Sequence, residues 1–90
     1  DEITGSFVLS KFLYVSTNQT IPANASVAFA VGTAIVVINS SGTAITLAIT
    51  TDTMRLSGTA STGTRTIAAY GNSTIIKVAA TEWRISGNVT

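Results

Sequence analysis

The sequence predicts an all-β fold, a small antiparallel β-sandwich or jelly-roll-like barrel of about eight short strands. Three observations predict it. β-branched residues dominate while the helix formers Glu, Lys, Gln and Leu are scarce. Gly, Asn and Ser punctuate the chain every 8–12 residues. No window carries a 3.6-residue apolar period through three turns.

The first strand is expected over Phe7 to Ser16, with Phe7, Leu9, Leu13 and Val15 on one face, interrupted by Lys11, and Phe12 and Tyr14 on the other. Thr17-Asn18-Gln19 reads as a turn, and Pro22 marks an edge or a connection because it cannot donate to a ladder. Val27, Phe29 and Val31 alternate with Ser26, Ala28 and Ala30 as in a half-buried strand ended by Gly32. Thr33 to Ile38 is apolar on both faces, which suits a central strand or one covered by a neighbouring subunit. Asn39-Ser40-Ser41-Gly42 is a turn signal, and Ile45, Leu47 and Ile49 alternate after it, so the two runs read as a hairpin. Asp52 to Leu56 is a short strand, 57–63 a loop, and Thr64 to Ala69 a further strand ended by Tyr70-Gly71-Asn72. Ser73 to Val78 and Glu82 to Ser86 form a closing hairpin across Ala79-Ala80-Thr81, ending at Gly87.

Ninety residues make one domain, residues 1–90. A chain this short buries a modest share of its surface alone and usually gains a disulfide, a metal or a partner subunit. With no Cys and no His, association is the remaining route. Only 10% of residues are charged, against roughly 25% in an average domain. Sixteen Thr and ten Ser supply the polar surface instead, as suits strands that contact other chains. A net charge of +1 without a basic cluster argues against nucleic acid. No apolar run reaches the roughly 18 residues of a membrane helix, so membrane insertion is not expected. Asp1 to Gly5 lacks the basic and apolar regions of a signal peptide.

The inventory for chemistry is poor. The carboxylates are Asp1, Glu2, Asp52 and Glu82, of which only the last two have the prospect of converging; solvent-facing strand-end charges are the expectation. Without His there is no histidine-based nucleophile pair. Gly58 to Gly63 resembles a phosphate-cradling loop only superficially, because it lacks the Gly-Lys-Ser/Thr ending and leads into a strand. Asn-x-Ser/Thr occurs at Asn18, Asn24, Asn39, Asn72 and Asn88, where turn chemistry explains most instances. No catalytic residue, cofactor or metal site is expected. Trp83 and Tyr70 are candidates for a sugar-stacking platform; the competing expectation is that Trp83 staples the last hairpin into the core with its N–H on a loop carbonyl.

Three segments carry a resemblance. Ile21-Pro22-Ala23-Asn24-Ala25-Ser26-Val27-Ala28-Phe29-Ala30-Val31-Gly32-Thr33, the stretch Thr53 to Ile67, and Thr74-Ile75-Ile76-Lys77-Val78-Ala79-Ala80-Thr81-Glu82-Trp83-Arg84-Ile85-Ser86-Gly87 resemble segments of phage virion structural proteins of the tail-fibre, knob or capsid-decoration type. The match divides the domain into an N-terminal strand or arm, 1–20, and a phage-structural-like core, 21–87. Arg84 stands where an apolar residue is common in that pattern. The resemblance implies a β-rich, trimeric, non-enzymatic module on the virion exterior, on capsid or tail. Its partners would be itself and other virion proteins. The residues expected at the subunit contact are Phe12 and Tyr14 with either Ile35 and Val37 or Val36 and Ile38, whichever pair is not core. The alternative reading is a receptor- or carbohydrate-binding adhesin that meets a host-surface glycan through Trp83, Tyr70 and the 57–64 loop.

Overall fold

The computed structural model describes residues 10–90, whose backbone forms eight strands and no helix. They are β1 (Ser10–Val15), β2 (Gln19–Ile21), β3 (Ala34–Asn39), β4 (Ile45–Ile49), β5 (Thr53–Leu56), β6 (Arg65–Ile67), β7 (Asn72–Ala79) and β8 (Glu82–Gly87). A five-stranded sheet has the order β1-β3-β7-β8-β5 and a three-stranded sheet the order β2-β4-β6. The sheets are mixed: β1 with β3, β2 with β4 and β5 with β8 are parallel, and the other three ladders are antiparallel. The expected positions of Phe7 and Leu9 lie outside the described residues.

The period-2 pattern does its work in β3. Ile35 and Val37 are fully buried, while Val36 and Ile38 point to the opposite face and are half-buried. Ile75 of β7, Trp83 and Ile85 of β8 and Met54 of β5 join them; Ile21, Ile45, Leu47 and Ile67 come from the smaller sheet. The inner faces of both sheets thus feed one cluster. At roughly 1.5–3 kcal/mol per fully buried large apolar side chain, it supplies the main drive to fold.

Two connections differ from the sequence expectation. Residues 27–31 form no strand. Ala23 O accepts from the N–H groups of Ser26 and Val27, and Thr33 Oγ1 donates to Ala30 O at 2.6 Å, so this backbone satisfies itself through local turns. Only Phe29 is buried there, while Val31 is exposed. In its place Gln19–Ile21, read as turn and connection, forms β2, with Asn18 Oδ1 accepting from Thr46 N–H at 2.9 Å beside the ladder.

The second difference is larger. β3 and β4 are not a hairpin but lie in different sheets. The buried side chain of Asn39 is the pivot. Its Nδ2 donates to Thr43 O at 2.8 Å and Ala68 O at 3.0 Å, and its Oδ1 accepts from Ser41 N–H at 3.0 Å and Ser41 Oγ at 2.8 Å. The turn residues were legible, but they fold the chain over the core edge as an arch. Since β1 also crosses to β2, and both pairings are parallel, the β1–β2 arch stacks on the β3–β4 arch. Ser40 N–H and Oγ both donate to Val15 O, at 2.7 and 2.9 Å, tying the corners together.

β7 and β8 form the expected hairpin, with a register shift between Lys77 and Ala79. Gly87 closes it at φ +117, and a Cβ there would overlap Asn72 O and the Cα of Ser73, so only glycine fits.

Candidate functional site

The stacked arches decide which surfaces are free. The outer edge of β5 is covered by its own following loop: Leu56 N–H donates to Ser61 O and Gly63 N–H to Met54 O. The edge of β6 is covered by the chain's last residues, where Thr66 and Thr90 exchange both backbone hydrogen bonds and Ala68 N–H donates to Asn88 O. Among the described residues no strand pairs with the outer edge of β1 or of β2. Among the described residues, one side therefore presents two strand edges that no strand covers, one above the other, as templates for a further strand.

β1 also carries the most exposed aromatic groups of its sheet. Phe12 is 66% and Tyr14 69% exposed. The register places Phe12 beside Val36 and then Thr74, and Tyr14 beside Ile38, so these side chains share the outer face. Ile76 and Val78 of β7 extend the apolar area and are exposed. Across the next two strands the face becomes charged. Ile76 is followed by Arg84 and Arg55 in register, and Glu82 accepts contacts from both guanidinium groups, with Oε2 3.1 Å from Arg84 Nε and 3.6 Å from Arg55 Nε. The outer face is thus apolar at its open edge and ionic at its covered edge. Contiguous apolar surface of this kind marks an interaction site more often than a free surface.

Of the expected contact residues, Phe12, Tyr14, Val36 and Ile38 come together on this face, whereas Ile35 and Val37 belong to the core. Arg84 points outward with Glu82, so it does not enter the packing of its neighbour Trp83.

Trp83 and Tyr70 do not form an exposed pair. The indole is 1% exposed, meets Phe29 edge-on at 5.5 Å and lies under Lys77 Nζ at 5.7 Å. It staples the hairpin as expected, but among the described residues its Nε1–H has no hydrogen-bond partner, in contrast to the expected bond to a loop carbonyl. The reason is its place on the inner face, where its neighbours are side chains of the core rather than loop backbone. Tyr70 stands alone at 76% exposure, in a left-handed turn at φ 56, with its ring beside Gly42.

The two candidate carboxylates are engaged separately. Glu82 holds the arginines of the outer face, while Asp52 is buried rather than solvent-facing and accepts the Asn24 N–H at 2.9 Å. Gly58 to Gly63 is an ordinary loop, with Thr59 Oγ1 donating to Leu56 O and accepting from Ser61 N–H. A shallow groove of about 450 Å³ is lined by Ala44, Thr66, Ala68, Asn88, Val89 and Thr90, which bring hydroxyl, amide and methyl groups but no titratable side chain. No group of three or more metal-ligating side chains occurs among the described residues. Comparison of the chain with protein families, with curated proteins and with solved structures finds no match.

Proposed function

We propose that this domain is a non-enzymatic structural module of a phage virion, a fibre or knob domain or a capsid decoration protein, that assembles as a homotrimer and with other virion proteins. The observation that supports self-association best is the coincidence on β1 of an edge that no described strand pairs with and an exposed apolar face. An isolated soluble domain usually blunts such an edge with charge, proline or a covering loop. Here β1 offers Lys11 alone among charged residues, and that side chain is on the inner-face parity, opposite to Phe12 and Tyr14. The virion assignment rests on the resemblance over 21–87 and on the low-charge, threonine-rich composition.

Size exclusion with light scattering tests the reading. The wild-type chain is expected at three times 9.2 kDa, and Val36→Asp at 9.2 kDa with an unchanged far-UV spectrum. Val36 is half-buried on the outer face, so a carboxylate there disrupts association without entering the core. A wild-type monomer at high concentration, or a trimer that survives the substitution, refutes this face as the subunit contact.

A further inference from the structure

Lys77 is the most unusual polar residue in the molecule. It sits on the inner face of β7, is 1% exposed, and among the described residues no carboxylate lies within ion-pair distance of it. Lysine is almost never buried this way unless paired. Its Nζ donates to Asn24 Oδ1 at 2.6 Å, and the same Asn24 has its backbone N–H on Asp52 Oδ2 at 2.9 Å. The amine and the carboxamide are therefore in direct contact beside the Trp83 ring, and the carboxylate holds the backbone of the same asparagine.

We propose that Lys77 and Asn24 form an intramolecular isopeptide bond, with Asp52 positioning Asn24 through its backbone N–H. Nζ lies 2.6 Å from Oδ1; adding one C=O bond of about 1.23 Å sets it no further than about 3.8 Å from Cγ. That is close to the ~3–3.5 Å separation of reacting atoms poised for attack. Nζ attacks Cγ, the Nζ–Cγ bond forms and the Cγ–Nδ2 bond breaks. One Nζ proton passes to the departing Nδ2 as the tetrahedral intermediate collapses, and the ammonia released takes up the second. Counted from the lysine ammonium, the products are a secondary amide and one ammonium ion, so no oxidant, reductant or co-reactant is needed. The step occurs once per chain and is a self-modification, not turnover.

The scaffold holds both ends. Lys77 N–H donates to Thr33 O at 2.9 Å and Lys77 O accepts from Gly32 N–H at 2.7 Å, fixing the strand at its bulge. Asn24 lies in the turn closed on Ala23 O, just after β2. Neither residue has to move far, which is what positions a reacting pair. The bond would join the crossing segment between the sheets to the central strand of the larger one.

Mass spectrometry of the purified, denatured chain tests this. The expected mass is lower than the sequence mass by one ammonia. Trypsin cleaves after Lys11, Arg55, Arg65 and Arg84, so the expected digest contains peptides 12–55 and 66–84 as one covalent species, with Lys77 uncleaved. Asn24→Ala removes the carboxamide and is expected to retain its full mass and separate peptides, while Asp52→Ala removes the acceptor that holds Asn24 and is expected to leave a larger uncross-linked fraction. An unmodified wild-type mass, or ammonia loss with 12–55 and 66–77 recovered separately, overturns the cross-link. A fully cross-linked Asp52→Ala chain overturns the positioning role of Asp52.

Discussion

Trp83→Ala is expected to lower the free energy of unfolding by about 3–5 kcal/mol, the range for deleting a buried tryptophan or phenylalanine ring. Domains of this size hold roughly 5–15 kcal/mol in total, so the variant would stand near the edge of folding. The size of the loss has three sources in the structure. The indole is the largest side chain in the core, its edge-on contact with Phe29 goes with it, and Lys77 Nζ loses the ring face 5.7 Å from it. Urea titration measures this as a drop in midpoint at unchanged slope. Trp83→Phe is expected to cost clearly less, because the indole N–H has no partner among the described residues and its removal orphans none of them. A loss below about 1 kcal/mol for the alanine variant would contradict the central place given to this ring.

Asn39→Ala has the second largest expected effect, about 2–4 kcal/mol, although only one small side chain is cut. The amide holds Thr43 O, Ala68 O and the Ser41 N–H together at the corner where β3 leaves one sheet for the other. Alanine would strand these groups, and each unsatisfied buried partner costs about 1–3 kcal/mol, partly relieved where water enters. Asn39→Asp is expected to be worse at neutral pH, since it keeps the acceptor but sets a carboxylate against the carbonyl oxygens of Thr43 and Ala68. The same urea series ranks the three proteins; an aspartate variant as stable as wild type would mean that the corner is solvated.

These two residues also show how far the sequence could be read. Trp83 as a staple of the last hairpin was legible, because a local pair of β-branched runs with small residues between them has few alternatives. Asn39 was legible as a turn residue but not as an arch. Asn-Ser-Ser-Gly specifies that the chain bends, and nothing in it says whether the next strand returns to the same sheet or passes over the core to the other. Val27 to Val31 misled for a related reason. Its alternation with alanine and serine is the pattern of a half-buried strand, yet a loop that lowers one phenylalanine into the core has the same spacing. On the outer face, Phe12 and Tyr14 could be paired with one parity of the following apolar strand, and only the register decided for Val36 and Ile38. The meeting of Lys77, Asn24 and Asp52 was beyond reach, because residues 53 and 28 apart in sequence carry no local signal of contact.

The path of the chain has a kinetic consequence. Among the described residues, six of the seven connections between successive strands pass from one sheet to the other, and only β7 to β8 pairs neighbours in sequence. β1 finds β3 only after β2 has been laid on the opposite side, and β5 finds β8 only after two strands have intervened. Each ladder except the last must close a long loop before its hydrogen bonds repay the lost chain entropy. Such non-local topologies fold on the order of milliseconds to seconds rather than microseconds. The terminal hairpin is the one local nucleus available, and during that interval the apolar strands wait uncovered, so the rate at which the arches stack competes with the rate at which unfinished chains meet one another.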